Sequence, residues 1–385
     1  MKVLVLGAGM MGRAIAYDLM KFSNFDEILL TDKNTQTCHS ARRFLKKTAV
    51  KVFPSNADRR NETKKLFENV DVAISALPYR YNYTISKIAL ETHTHLIDLG
   101  GNTTIVQKQR SLFSKAKQNK ITMIPDSGLA PGLVSIITRD IVDYFDTVDV
   151  VKIRVGGLPR HPQPPFKYQI VFSPYGLINE YVEDAIVLDH GKILQKKSLT
   201  ELETLRFPAP FGTLEAFLTS GGCSILPITY QKIIGFLDYK TIRYPGHCEK
   251  IRTLLDLGLA DQQKITCQNY HIAPRDVLAA LLLKHIPTSG EDVILLKVIS
   301  QGVKKGKKSI REYVLIDYFD TRHNITAMMR MTGYPVSITA QMIENGTISA
   351  RGVFCPEEII PPRAFFKELE KRDISLCIRK KSVIS

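Results

Sequence analysis

Short apolar runs alternate with amphipathic stretches through the first third of the chain. KVLVL (2–6), EILL (27–30), AVKVF (49–53), VAIS (72–75), HLID (95–98) and ITMI (121–124) are brief and continuous, as expected of parallel strands buried on both faces. Between them the spacing of apolar positions predicts helices over 11–21, 35–47, 60–68, 82–92 and 106–119. Six strands and five helices make two βαβαβ halves. Because crossovers are right-handed, the economical arrangement is a doubly wound, Rossmann-type parallel sheet.

After Pro125 the rhythm changes. Segments 148–159, 167–173, 185–195 and 237–244 read as strands, and 292–320 reads as a hairpin around a Lys/Gly turn. Helices are predicted over 213–219, 247–257 and 274–285, the last opening on Pro274, a favoured first-turn residue. A final helical segment, 325–346, carries Pro335 as a kink and ends at Asn345-Gly346. The second domain is therefore α+β, with a largely antiparallel sheet, and the whole is of the α/β class.

Composition narrows the function classes. Two domains are expected from 385 residues at roughly 150 per domain. With 44% hydrophobic and 24% charged residues the chain has the balance of a globular protein rather than a disordered one. Its longest apolar stretch is cut by Lys284 and His285, well short of the ~18 residues of a membrane span. Met1-Lys2 runs directly into the first strand, so we expect no signal peptide.

The six cysteines are far apart and none forms a CxxC pair, which excludes zinc-ribbon and thioredoxin-like sites. Reduced thiols, a cytoplasmic location and no bound metal are expected. The net charge of +15 raises the question of a nucleic-acid partner. No aromatic-interleaved basic strand, helix–turn–helix or zinc-finger spacing supports one. The densest patches, KKGKK (304–308) and RKK (379–381), fall in a hairpin turn and near the chain end, where they read as solvated surface. We expect neither nucleic acid nor membrane as a partner.

GAGMMG carries the first specific chemistry. Gly7, Gly9 and Gly12 stand in GxGxxG register, directly after a strand and at the start of a helix. The first makes the tight turn, the second lets a pyrophosphate approach the backbone, and the third lets helix and strand pack closely. Ala8, Met10 and Met11 complete the turn, whose free N–H groups suit phosphate. Asp32 follows Gly12 by 20 residues, at the end of the second strand, where a carboxylate accepts from ribose hydroxyls. Its charge argues for NAD over NADP, while Lys33 beside it pulls the other way. Two more loops fall at C-terminal strand ends, where ligands of such sheets collect: Ala76-Leu77-Pro78, and Asp98 with Gly100-Gly101 in DLGGN.

Several longer strings carry a resemblance. PDSGLAPGL (125–133), VGGLPRHPQPPFKY (155–168), FGTLEAFLTSGG (211–222), YKTIRYPGHCEK (239–250), PRDVL (274–278) and TAMMRMTGYPVSITAQMI resemble the saccharopine dehydrogenase-like family, within it most closely the lysine 6-dehydrogenases. The resemblance implies NAD-dependent oxidative deamination of the ε-amine of L-lysine to the 6-semialdehyde, which cyclises. It also implies a homo-oligomer, a dimer above all, and a C-terminal segment that returns to the nucleotide domain. The domains would then be 1–130 completed by about 325–385, and a substrate-binding and dimerisation domain over 131–324. Saccharopine reductases of the family carry an acidic residue before the Pro-Gly of the loop matching 125–132. Here it is Ala130, which favours lysine as substrate.

Oxidising an amine by hydride loss needs a nitrogen lone pair. At pH 7, deprotonating lysine's ammonium, with a pKa near 10.4, costs about 4–5 kcal/mol. A positioned base or a desolvating site must cover part of that, and a base must also activate water to hydrolyse the imine. Asp126, Asp98 and His247 are the candidates. Asp126 could equally cap the following helix, and Asp98 could bind ribose or hold DLGGN. At a helix start, His247 would be kept neutral.

For the substrate carboxylate a guanidinium fork is best, and Arg243 is the first choice. Thr219 and Ser220, at an expected helix end, could add hydroxyls; Tyr168 and Glu215 are further candidates. Competing readings are a saccharopine dehydrogenase or related imine-forming dehydrogenase, and a non-catalytic NAD-binding sensor.

Overall fold

The N-terminal apolar runs pair in parallel in a computed structural model that describes residues 1–46 and 49–382. In chain order come β1 (Lys2–Leu6), α1 (Met10–Phe22), β2 (Glu27–Asp32), α2 (Thr35–Phe44), β3 (Val50–Pro54), α3 (Arg60–Phe67) and β4 (Val72–Ser75). Then follow α4 (Asn82–Thr92), β5 (His95–Asp98), α5 (Thr103–Arg110), α6 (Phe113–Gln118), β6 (Thr122–Ile124) and α7 (Leu133–Tyr144). Across the sheet the order is β6-β5-β4-β1-β2-β3, so the winding reverses between β1 and β4. That switch point opens a crevice at the C-terminal strand ends. Every residue from Val3 to Leu6 and from Val72 to Ser75 is buried, which is why these strands show no polar alternation.

Two helices differ from expectation. The helix expected over 106–119 is two, α5 and α6. Between them the Ser111 hydroxyl bonds back to the Lys108 carbonyl at 2.7 Å, competing with the helical ladder. The helix expected over 35–47 stops at Phe44, because Lys46 takes a left-handed φ of 51°; Lys47 lies outside the described residues.

The second region has β7 (Thr147–Pro159), α8 (Pro174–Val182), β8 (Ala185–Asp189), β9 (Lys192–Lys196), β10 (Glu203–Phe207), β11 (Gly212–Leu218), the single turn α9 (Leu226–Thr229) and β12 (Ile234–Arg243). It continues with α10 (His247–Asp256), β13 (Ile265–Cys267), β14 (Tyr270–Ile272), α11 (Pro274–His285), β15 (Asp292–Lys304) and β16 (Lys307–Tyr318). The main sheet runs β10-β11-β12-β7-β15-β16, and only β7 and β12 are parallel neighbours. Tyr168, Leu177, Tyr181, Phe217, Cys248 and Leu278 form a core between this sheet and helices α8, α10 and α11.

Three expectations are corrected here. Segment 213–219 is the strand β11, not a helix; it is paired with β10 on one side and β12 on the other. Leu214, Phe217 and Leu218 have helical spacing, but Leu214 through Leu218 are all buried, which erases the strand period. Thr219 and Ser220 consequently sit at a strand end. Segment 167–173 is irregular, from Lys167 at φ 50° to Ser173, which caps α8. Segment 185–195 is a hairpin that turns at His190 and Gly191, both with positive φ.

The C-terminal part supplies α12 (Ala327–Glu344, with Pro335 inside it), β17 (Gly352–Val353), α13 (Pro356–Ile359), α14 (Pro362–Glu370) and β18 (Cys377–Ser382). β17 adds a seventh parallel strand beside β6, while β18 pairs antiparallel with β16. One compact unit thus comprises Met1–Asp143, Ser224–Leu226 and Met329–Ser375, and the other comprises Tyr144–Cys223, Pro227–Met328 and the chain from Leu376 onward. The last three residues of the segment expected over 325–385 lie outside the described residues. In the first unit Arg372 donates to Asp18 of α1 through Nε at 2.8 Å and Nη2 at 2.9 Å, both side chains fully buried. Among the described residues no helix is long and apolar enough to cross a membrane.

Candidate active site

The glycine turn after β1 is set by sterics. A Cβ on Gly12 would lie 1.7 Å from the Gly7 carbonyl oxygen, so only glycine lets α1 start this close to β1. Asp32 steadies the same turn: its Oδ2 accepts from the Ala8 amide at 3.0 Å and its Oδ1 from the Asn34 amide at 2.9 Å. A cavity of about 250 Å³ opens here, lined by Gly7, Gly9, Asp32, Lys33 and the stretch Ala76-Leu77-Pro78. Met10, Met11 and Gly12 form the first turn of α1, whose amide donors have no helical acceptor.

The opposite wall of the cavity was missed in the sequence. Ser55, Asn56, Ala57 and Asp58 follow β3, and Arg80 and Tyr81 follow β4. The rule that located Ala76–Pro78, ligands at C-terminal strand ends, applies to the loop after β3 as well. Lys33 reaches toward Asp58 at 4.0 Å, both exposed. The donor set and the turn that excludes a Cβ fit the pyrophosphate and ribose of a dinucleotide.

Asp98 and Gly100 do not line this cavity but belong to the next loops along the sheet edge. Asp98 is buried and both its oxygens are engaged, Oδ1 by the Gly100 amide at 2.8 Å and Oδ2 by Gln109 Nε2 at 2.6 Å. Burial lifts its pKa to about 6, against these bonds. It therefore holds the DLGGN loop. Asp126, after β6, has φ 62° and bonds the Gly101 amide through Oδ1 at 3.3 Å. A Cβ on Gly100 would lie 1.7 Å from that same Oδ1, so the glycine is what admits the carboxyl. Asp126 Oδ2 is buried with no hydrogen-bond partner. Burial raises the Asp126 pKa to about 8; Ser224 opposes the rise, and the nearby Asp98 and Glu357 add to it. Burial thus favours the protonated form of this carboxyl.

The second unit builds a separate cluster around Arg243, at the end of β12. Arg243 Nε donates to the Tyr181 hydroxyl at 3.2 Å, and the Tyr181 hydroxyl lies 3.0 Å from His247 Nε2. His247 Nδ1 lies 3.1 Å from the Phe166 carbonyl. A carbonyl only accepts, so Nδ1 carries the proton, Nε2 accepts from Tyr181, and Tyr181 accepts from Arg243. His247 is held neutral, near pKa 3, by burial first and then by the Arg243 charge. Glu215, opposite Arg243 in the sheet, accepts from the Gly246 and Cys248 amides and so caps α10.

Arg243 stacks over the Tyr168 ring at 4.7 Å, and Nη1 donates to the Ile242 carbonyl. The hydroxyls of Tyr168 and Thr219 are buried without partners. Ser220 is spent locally, on the Asn179 carbonyl and Glu183. Tyr168, Arg243 and His247 are thus brought together, with Tyr181 as the link that sequence reasoning did not find.

The profile for the saccharopine dehydrogenase NADP binding domain matches residues 3–124, and that for the saccharopine dehydrogenase C-terminal domain matches residues 128–374. The chain belongs to the saccharopine dehydrogenase family. Mitochondrial alpha-aminoadipic semialdehyde synthase of Mus musculus is 24% identical over 94% of this chain, which spans only 46% of that protein's length. Carboxyaminopropylagmatine dehydrogenase of Synechocystis is 22% identical, covering 94% of this chain and 93% of its own. Among solved structures, apo saccharopine dehydrogenase (L-Glu forming) from Saccharomyces cerevisiae shares the fold, with a TM-score of 0.81 at 18% identity over 99% of this chain and 100% of that one. In this saccharopine dehydrogenase-family chain, unit one is accordingly a nicotinamide-dinucleotide domain. The parallel sheet beside a mostly antiparallel one agrees with the sequence reading.

Proposed function

We propose that the protein catalyses NAD-dependent oxidative deamination of the ε-amine of L-lysine, releasing ammonia and a 6-semialdehyde that cyclises to a piperideine carboxylate. The observation that supports lysine over saccharopine is the supply of guanidinium groups in the second unit. Arg154 is consumed by Asp238 and Glu203, and Arg275 bonds Asn179 and the Tyr175 carbonyl through Nη2. In the cluster with Tyr168, Tyr181 and His247, Arg243 supplies the guanidinium, bonding through Nε and Nη1 and keeping Nη2 without a protein acceptor among the described residues. One fork matches one carboxylate, whereas saccharopine carries three.

The nicotinamide, when bound, supplies the hydride acceptor. Ionised Asp126 would take a proton from the substrate ammonium, leaving the lone pair that expels hydride from the ε-carbon and gives an iminium. Once that proton has passed to solvent, the same carboxylate would take a proton from the water that adds to this iminium and return it to the nitrogen, so that C–N cleavage releases ammonia. Because burial keeps Asp126 protonated at neutral pH, turnover should rise as pH passes about 8. Within the second unit, Tyr181 and His247 fix the Arg243 guanidinium, which suits it to a carboxylate. Asp32 favours NAD because its charge would repel a 2′-phosphate, while Lys33 leans toward Asp58.

The names of the relatives favour a second reading, saccharopine oxidation with NADP. Initial rates with lysine, ornithine and saccharopine, each with NAD and NADP from pH 7 to 10, separate the two. We expect lysine with NAD to be the fastest pair, with a rate that climbs with pH. A higher kcat/KM for saccharopine would establish the second reading.

A further inference from the structure

The basic stretches 304–308 and 379–381, far apart in the chain, lie side by side in the second unit. β16 joins them. On one side Lys307 and Lys308 pair with Lys304 and Val303 of β15, and on the other Ile310 and Arg311 pair with Lys381 and Lys380 of β18. Neighbouring strands are about 4.8 Å apart, so the four lysines of 304–308, Arg311 and the three cations of 379–381 gather at one end of the sheet. Their common neighbour is a ring. The Arg311 guanidinium lies 4.2 Å from the Tyr144 ring centroid, Lys380 Nζ 5.1 Å and Lys304 Nζ 5.5 Å. A π face attracts cations without cancelling their charge. Carboxylates do little to cancel it: Asp146 takes Lys304 Nζ at 3.2 Å and the Lys305 amide, and Glu312 is paired with Lys297 at 3.7 Å. Among the described residues no ion pair reaches Lys305, Lys307, Lys308, Arg379, Lys380 or Lys381, and all six are exposed.

We infer that this end of the second unit is a docking surface for the phosphodiester backbone of a nucleic acid. Like charges held this close repel one another. A partner with closely spaced negative charges removes that repulsion and releases its own counterions. The arrangement favours a chain over a bilayer. Side chains alternate along a strand, so Lys304, Lys307, Arg311 and Lys380 project from one face of the sheet, while Lys308, Arg379 and Lys381 project from the other. The cations therefore form a band around the edge strand β18 and the β15–β16 turn. A string of phosphates can follow such a band, whereas a flat membrane meets only one face of it. Contacts to phosphate carry no base information, so binding is independent of sequence. The expectation of no nucleic-acid partner treats the two basic stretches as separate, and the fold joins them. The surface is independent of the proposed reaction and needs neither substrate nor cofactor.

The test follows fluorescence anisotropy of labelled oligo-uridine, oligo-thymidine and duplex DNA, each about 20 nucleotides long, against the full chain over a range of salt. The three probes distinguish RNA, single-stranded DNA and duplex as the source of the backbone. One variant carries Lys305→Asn, Lys307→Ser and Lys308→Ser, the asparagine suiting the positive φ of residue 305. A second carries Arg379→Ser, Lys380→Ser and Lys381→Ser. The control removes the same charge from exposed positions of the first unit, with Lys108→Ser, Lys115→Ser and Lys117→Ser. For wild type we expect a Kd of about 10 µM or tighter for at least one probe near 0.1 M salt. Each patch variant should bind at least about tenfold more weakly and lower the slope of log K against log salt by about two, with the control within about twofold of wild type. A control that loses as much as the patch variants would mean diffuse net charge and overturn the inference. So would no wild-type binding near 0.1 M salt, or tighter binding to phosphatidylserine vesicles or polyglutamate at matched anionic charge. The wild-type salt slope and these competing polyanions need no variant, and the two patch variants lie on different strands, so one that misfolds does not shield the idea.

Discussion

Asp126 sits in the left-handed region, buried, with one oxygen on the Gly101 amide and the other unbonded. Its pKa of about 8 lies far above that of an exposed aspartate, so the folded state favours the protonated form. The associated stability is complete below about pH 4 and is lost as pH rises through about 8. Asp126→Asn cannot ionise, so its melting temperature should gain on wild type between pH 6 and pH 9. A constant difference across that range would argue that Asp126 is ionised throughout. In catalysis the same substitution should lower kcat/KM for lysine by about 100-fold or more and remove the rise near pH 8.

Tyr181→Phe is informative for a different reason. It strands Arg243 Nε and His247 Nε2 in a buried site, at a cost of about 1–3 kcal/mol visible in urea unfolding. KM should rise more than kcat falls, because the loss is in positioning the fork. Unchanged stability would mean that water replaces the hydroxyl.

Among the elements, those whose environment is uniform were the most legible. α4 and α11 run over 82–92 and 274–285, as their apolar spacing and Pro274 predict. The six strands of the parallel sheet declare themselves by continuous apolar runs. β11 has the same two-sided burial, but Glu215 interrupts its run and leaves a helix-like spacing, which is why it was misread. β13, β14 and β17 are two or three residues long, and β18 is largely basic, so neither periodicity nor run length signals them.

The Asp18–Arg372 pair is an element-scale device, fastening the C-terminal return to α1. Arg372→Ala leaves the buried Asp18 carboxyl without its partner, which should destabilise unit one by about 3–5 kcal/mol in denaturant titration. The double change with Asp18→Asn should recover part of that loss; failure to recover would place the cost in packing instead.

At the scale of the whole molecule, the cofactor end could be read from sequence because its demands are local: three glycines, a strand, a helix start and Asp32. The substrate end could not, because Tyr181 on α8 gains its meaning only when the fold brings Arg243 and His247 beside it. Lys33 shows the same limit from the other side, since only the fold reveals Asp58 as its neighbour. If Asp32 sets cofactor choice, Asp32→Ser should raise kcat/KM for NADP relative to NAD by at least tenfold; an unchanged ratio would shift that role to other residues of the cavity.

The central claim is that hydride and nitrogen both leave lysine's ε-carbon. Incubating the protein with NAD and L-lysine labelled with nitrogen-15 only at the ε-position, and following NADH together with the label, tests it most directly. One labelled ammonia should be released per NADH formed. NADH with unlabelled ammonia, or no NADH from lysine between pH 7 and 10, would contradict it.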